Sequence, residues 1–401
     1  MKFVVVLGDG MSDYPVDELG GRTPLQAAHK PAIDALARRG EVGLAVTIPS
    51  GMPPGSDTAN LSVLGYDPRL YYTGRSPLEA ASMGISLQEG EVAFRCNLVT
   101  LSDGEPYAAR TMLDHSADEI TSAEAHALLQ TVAQELDTPT RRFYPGVSYR
   151  HLLVWSNAPN HVRLAPPHDI LGQEIGPYLP EGVIGEMMRR SAVLLADHPV
   201  NRERRRRGLR PGNSIWIWGA GSRPGLPSFV DKYGLRGSVV AAVDLVKGLG
   251  VCAGLHPVHV PGATGTLHTN YRGKAEAALE ELRRGQDFVY LHVEAPDECG
   301  HRQEVANKVK AIEQIDALVV RVLVDGLQNA GSDFRLLLLP DHPTPLSLRT
   351  HTHDPVPYLL YDSRRTPASA APGYDEIIAA QSARRFDPGY RLMDYFLEVG
   401  A

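Results

Sequence analysis

Four short apolar runs punctuate the chain: FVVVLGDG (residues 3–10), SIWIWGAG (214–221), DFVYLHVEAPDE (287–298) and FRLLLLPDHP (334–343). Each is almost continuously apolar and ends in turn-forming or acidic residues, the pattern of a strand covered on both faces. Helical patterns lie between them. Thr23 followed by Pro24 can cap and start one helix, Pro31 to Arg39 reads as another closed by Gly40, and Ser76, Pro77 and Glu79 form a capping-box start. RGKAEAALEELRR (272–284) stops at Gly285, and a helix from His301 to about Leu323 would carry Val305, Val309, Ile312 and Val319 on one stripe. Strands alternating with helices predict an α/β fold whose mostly parallel sheet has helices on both faces.

The middle of the chain reads differently. From about residue 87 to residue 180, alternating segments such as EVAFRCNLVT and YRHLLVW surround the helical TSAEAHALLQTVAQEL, where Thr121 and Glu124 are spaced as a capping box. This predicts a smaller α+β insert at 87–180, splitting the sheet domain into a first part, 1–86, and a second part, 181–401. The run from Arg202 to Arg210, six arginines and one glutamate, reads as a solvated helix face or linker.

Charge and composition narrow the function classes. The 40 basic and 47 acidic residues give a formal charge of −7, against a dedicated nucleic-acid binder. With 43% hydrophobic and 22% charged residues among 401, the chain has the composition of a folded protein of two or three domains. Gly 38 and Pro 31 without a period point to many tight turns. Cys96, Cys252 and Cys299 form no CxxC pair, so neither a disulfide framework nor a thiolate zinc site is expected. The apolar run at the start is too short for a signal segment or a membrane span, so the expectation is a soluble cytoplasmic protein without a membrane or nucleic-acid partner. The sequence leaves the oligomeric state open.

Three predicted strands end in an acid: Asp9, Asp297 and Asp341. In an open α/β sheet, ligands bind beyond the carboxyl ends of the strands, so these carboxylates can meet in one crevice. Imidazoles accompany them. His301 is one helical turn after Asp297, His342 adjoins Asp341, and His353 follows in HTHDP. Such an oxygen- and nitrogen-rich set suits Mn²⁺, Zn²⁺ or Mg²⁺ rather than Cu(I) or an iron–sulfur cluster. The loop PSGMPPGSDTANLSVLGYDP (49–68) presents Ser56 at a helix start, where backbone N–H groups favour an anion; Ser56 is thus a candidate phosphate-facing nucleophile, the alternative being that Ser56 or Asp57 is only a cap. The P-loop, dinucleotide and nucleophile-elbow motifs are absent, which disfavours a P-loop kinase, a Rossmann dehydrogenase or an α/β-hydrolase.

At these residues the chain resembles the alkaline phosphatase superfamily and, within it, the archaeal-type cofactor-independent (2,3-bisphosphoglycerate-independent) phosphoglycerate mutases. The resemblance is carried by VVVLGDGMSDYP, GGRTPLQAAHKPAIDALARRGEVG, PPGSDTANLSVLGYDP, HVEAPDECGH, LLLLPDHPTP and HTHDPVPYLLY, with MLDHSADEITSAEA and FYPGVSYRHLLV in the insert. It implies an alkaline-phosphatase-like core and two divalent metal ions, Mn²⁺ foremost, with no need for 2,3-bisphosphoglycerate. One ion would be held by Asp9, Ser56, Asp341 and His342, the other by Asp297, His301 and His353. Ser56 would take the phosphoryl group of 3-phosphoglycerate as a phosphoserine and return it to the other hydroxyl, while the insert closes over the substrate. Asp57, Asn60, Arg150, Arg202 and Lys274 are the candidates for substrate contacts. The run from Pro53 to Ile85 also resembles a bacterial branch proposed to act as a homoserine kinase in threonine biosynthesis; a phosphatase is a third reading.

Overall fold

The computed structural model describes residues 1–158, 163–365 and 371–398. The chain divides into two units, Met1–Tyr72 with Gly225–Ala401, and Thr73–Pro224.

The first unit is built on an eight-stranded sheet. Its strands lie in the order Arg385–Phe386, Glu41–Ala45, Val356–Asp362, Phe334–Leu339, Lys2–Gly8, Phe288–Val293, Gly237–Val240 and His256–Val258. Val356–Asp362 runs antiparallel to both neighbours, and the other pairings are parallel, as the alternation of strands and helices predicts. Every residue of Phe288–Val293 and Phe334–Leu339 is buried, so these strands need no polar face. Each fully buried Val or Leu contributes roughly 1.5–3 kcal/mol of transfer free energy, which fixes the register of the central strands. That register aligns the strand ends: Gly8 pairs with Val293 and Leu7 with Leu339. Whatever follows those three strands therefore emerges on one edge of the sheet.

The helix expected from His301 to Leu323 is divided differently. A helix Ala295–His301 ends there, Gln303 takes a left-handed φ of 59°, and a second helical run starts at Val305 and continues to Asn329. Ile315–Val320 within it is a π-helical turn. There Asp316 reaches the helix Pro31–Ala37 and accepts the Ile33 N–H at 2.7 Å, supplying the cap that Lys30, the residue before that helix, does not.

The second unit is an antiparallel sheet with helices. Glu91–Leu101 pairs with Met112–Asp114, Arg150–Ser156 and Ser214–Ser222, and Arg141–Tyr144 pairs with Arg150–Ser156. Its extent, 73–224, is wider at both ends than the 87–180 expected. The reason is the SIWIWGAG run. Ser214–Ser222 joins Glu91–Leu101, with Val99 opposite Ser214 and Val92 opposite Ser222, instead of entering the parallel sheet. The helices Ser122–Leu136 and Val183–Leu195 contribute Leu128, Leu129, Met187 and Met188 to the core that buries Trp216. At the other end, Ser76 is the first helical residue of Ser76–Ser82 and its hydroxyl donates to the Gly219 carbonyl, so the expected capping box is not made. Within the arginine run, Arg204 departs from a solvated face: it is 2% exposed, pairs with Glu124 at 2.7 Å and donates to the Ala117 carbonyl.

Candidate active site

Asp9, Asp297 and Asp341 follow the aligned ends of Lys2–Gly8, Phe288–Val293 and Phe334–Leu339, and all three are buried. Gly10 lets the loops close up: it takes a φ of +58°, and a Cβ there would lie 2.6 Å from Asp297 Oδ1. Ser56 opens the helix Ser56–Val63, and its Oγ lies 3.0 Å from His342 Nε2. One turn on, the buried Asn60 donates to the Ser56 carbonyl at 2.8 Å and to Asp341 Oδ2 at 2.9 Å.

The carboxylates are held by few donors for their number. Asp341 Oδ1 accepts the backbone N–H groups of Gly10 and His342. Asp9 Oδ2 is 2.9 Å from His292 Nε2, whereas Asp9 Oδ1 is buried with no hydrogen-bond partner among the described residues and lies 3.6 Å from His342 Nε2. Asp297 Oδ1 accepts from Thr344 Oγ1 at 2.5 Å, and the same carboxylate faces His301 at 3.2 Å and His351 at 3.4 Å. The Nε2 atoms of His301 and His351 are only 3.0 Å apart, and the His351 ring stacks on His342 at 3.9 Å.

This crowding sets the protonation of the site. Burial, then repulsion from Asp341, Asp297 and Glu294, pushes the Asp9 carboxyl well above its ordinary value. Glu294 rises to about 8 through burial and the Asp297 charge. For Asp297, burial works upward but the bonds from His301 and His351 prevail and hold it well below the carboxylate range. The same bond raises His301 to about 9. Burial lowers His342 and takes His292 down to about 3, leaving that ring neutral. Among the described residues, three groups of side chains can converge on a cation: Asp297 with His301 and His351, Asp9 with Asp297 and His342, and Asp9 with His292 and Glu294. An unsatisfied buried carboxylate oxygen, mutually repelling acids and facing imidazole nitrogens fit divalent ions bound through oxygen and nitrogen.

Asp9, Ser56, Asp297, His301, Asp341 and His342 thus come together. His353 does not join them; its Nε2 contacts the Met52 carbonyl at 2.8 Å, and His351 takes the place expected for it. Both imidazoles lie in one irregular segment, where alternate spacing cannot tell which ring turns inward. Asn60 is directed at Ser56 and Asp341 as an internal brace, with both ends of its amide engaged. Asp57 accepts from the Tyr72 hydroxyl at 2.8 Å. Lys274 is fully buried, donates to the His292 carbonyl at 3.1 Å, and is lowered by burial to about 8. Arg150 and Arg202 are exposed residues of the second unit. Sequence reasoning missed His351, His292, Glu294 and Tyr290, although VYLHVEAP held a signal: alternation puts Tyr290 and His292 on one face of their strand.

The family model described as 2,3-bisphosphoglycerate-independent phosphoglycerate mutase matches residues 37–201. A probable 2,3-bisphosphoglycerate-independent phosphoglycerate mutase of Geobacter sulfurreducens is 52% identical, covering 99% of this chain and 100% of its own. The enzyme so named in Methanothrix thermoacetophila is 52% identical over 95% of each chain. Among solved structures, a protein of Pyrococcus horikoshii has a TM-score of 0.82 at 28% identity, covering 99% of this chain and 96% of its own. The cofactor-independent phosphoglycerate mutase of Thermoplasma acidophilum has a TM-score of 0.68 at 28% identity, each chain covered fully at 100%. By the identity and coverage of these relatives, the chain belongs to the 2,3-bisphosphoglycerate-independent phosphoglycerate mutase family.

Proposed function

We propose that the protein interconverts 3-phosphoglycerate and 2-phosphoglycerate by phosphoryl transfer through Ser56, without 2,3-bisphosphoglycerate. The observation that carries this reading is the Ser56 hydroxyl at a helix start, 3.0 Å from His342, whose Nε2 lies in turn 3.6 Å from Asp9 and 3.3 Å from Asp341, both buried. Asp9, Asp341 and His342 with Ser56 would hold one divalent ion, and Asp297, His301 and His351 a second, Mn²⁺ being the foremost candidate. When bound, such ions lower the pKa of the serine hydroxyl and offset charge developing on the phosphate oxygens, an effect worth several kcal/mol of barrier.

The chain's own residues account for the rest. The helix start presents N–H groups to the phosphate. Ser56 Oγ gives up its proton and forms a bond to phosphorus as the bond to the substrate oxygen breaks, and that proton ends on the released glycerate oxygen. The neighbouring glycerate hydroxyl then attacks the phosphoserine, loses its proton and restores Ser56. Lys274 places a buried cation beside Glu294, whose charge attracts it. The second unit carries a cationic group in its own right. Arg95 is 4.5 Å from the Trp218 ring, His168 is 5.3 Å from the same ring, and Arg75 and Arg150 are near enough to repel Arg95. Glu79, 2.8 Å from Arg95, offsets one of these charges, so the remainder suits a carboxylate or phosphate of a small metabolite.

A homoserine-directed phosphotransferase is not favoured, because the relatives of about half identity carry mutase names. Among the described residues, no helix is long and apolar enough to cross a membrane. Enolase-coupled assay of 3-phosphoglycerate with Mn²⁺ tests the proposal. Turnover without ATP is expected. Turnover of homoserine plus ATP, with none of 3-phosphoglycerate under any divalent metal, would overturn it.

A further inference from the structure

Asn60 and Tyr290 lie inside the reactive centre, yet neither has a part in the chemistry above. Both are fully buried. The Tyr290 hydroxyl donates to Asn60 Oδ1 at 2.6 Å, while Asn60 Nδ2 donates to the Ser56 carbonyl at 2.8 Å and to Asp341 Oδ2 at 2.9 Å. The two ends of an amide have the same shape, so only their partners decide which way it faces. Here they agree: a phenol proton meets the carbonyl end and a carboxylate oxygen meets the NH₂ end.

We propose that Tyr290 and Asn60 are positioning residues, the Tyr290 hydroxyl fixing the orientation of the Asn60 amide so that it holds the Asp341 carboxylate and the first turn of the Ser56 helix together. This rests on the reading of Ser56 and Asp341 as parts of one reactive centre. Without the phenol, the carbonyl end of the amide loses its donor and the side chain is held through its NH₂ end alone, by the Ser56 carbonyl and Asp341 Oδ2, so the brace slackens. The carboxylate would then rotate away from the direction in which it is useful. The support is rigid, because Tyr290 sits in Phe288–Val293, a strand paired on both sides. Two residues along the same face, His292 contacts Asp9 at 2.9 Å, so one strand supplies outer partners to both carboxylates.

Tyr290→Phe in the full chain tests this, because it keeps the ring and removes only the hydroxyl. The readouts are kcat and KM for 3-phosphoglycerate with Mn²⁺, and Mn²⁺ affinity measured by titrating the metal-free protein. Loss of an outer hydrogen-bond partner lowers metal affinity or activity by about 10- to 100-fold, and the fall is expected in kcat and in Mn²⁺ affinity, with KM within about twofold. A purely structural role would lower the melting temperature and leave both constants of the folded protein unchanged. Asn60→Asp, of nearly the same shape, is the second variant; it sets an acceptor against Asp341 and should weaken Mn²⁺ binding in the same way. If either folded variant has kcat and Mn²⁺ affinity within about twofold of the parent, the proposal is overturned. Absence of turnover by the parent protein would strike the mutase reading instead, and the Mn²⁺ titration would still decide the role of the relay.

Discussion

The Ser56 hydroxyl lies 3.0 Å from the His342 imidazole although 286 residues separate them in sequence. Backbone regularity brings them together. Ser56 is set by the start of a helix, and His342 by the end of a strand buried at every position. Asn60 then ties that helix to Asp341, next to His342. A nucleophile is thereby placed on rigid elements, which is what phosphoryl transfer by positioning requires.

The two histidines of HTHDP should behave differently. His351 faces Asp297 at 3.4 Å and His301 at 3.0 Å, whereas His353 contacts the Met52 carbonyl. Replacing His351 by Ala should reduce turnover by several orders of magnitude and lower metal stoichiometry. Replacing His353 should cost about tenfold or less, as expected of loss of a loop hydrogen bond. Metal analysis of the two purified variants beside an activity assay decides between them, and the reverse pattern would return the ligand role to His353.

Lys308 and Asp13 form an ion pair at 2.7 Å with both side chains essentially unexposed. The same ammonium donates to the carbonyls of Ser12 and Thr344, and Thr344 in turn donates to Asp297. Lys308→Met leaves the Asp13 charge buried and unpaired, a loss of about 3–5 kcal/mol. Denaturant unfolding should show this decrease, and Asp13→Asn in the Lys308→Met background should recover part of it. A change below about 1 kcal/mol in the single variant would contradict the account.

In the metal-free protein, His301 is raised from 6.5 to about 9 by its bond with Asp297. A raised base contributes stability that is complete below the unfolded value and lost as pH climbs through the folded one. The melting-temperature advantage of the parent over His301→Gln, both metal-free, should therefore be full below pH 6.5 and vanish by about pH 9. Metal affinity should move oppositely, rising across that window as the ring loses its proton. An advantage that grows with pH would show that the Asp297 bond does not hold the proton.

Much of this was legible in the chain. Apolar runs ending in acids mark Lys2–Gly8, Phe288–Val293 and Phe334–Leu339, because a strand buried on both faces is almost continuously apolar. The same property hides the partner of Ser214–Ser222: an apolar run states that it is covered and not which sheet covers it, so the second unit extends beyond the 87–180 that the sequence suggests. Lys308 escaped notice because a charge on an apolar helical stripe reads as solvent-facing until Asp13, 295 residues away, comes to meet it. His351 and His353 illustrate the remaining gap, since ring direction in an irregular segment follows from tertiary contacts alone.

The central claim is that Ser56 carries the phosphoryl group. Its most direct test is acid quenching of the Mn²⁺-loaded protein during turnover of phosphate-labelled 3-phosphoglycerate, followed by mass spectrometry of the peptide spanning residues 49 to 68. The account predicts label on Ser56, formed and discharged fast enough to support turnover, and neither label nor turnover in Ser56→Ala. Turnover by Ser56→Ala at the parent rate, or label settling on another side chain, would contradict it.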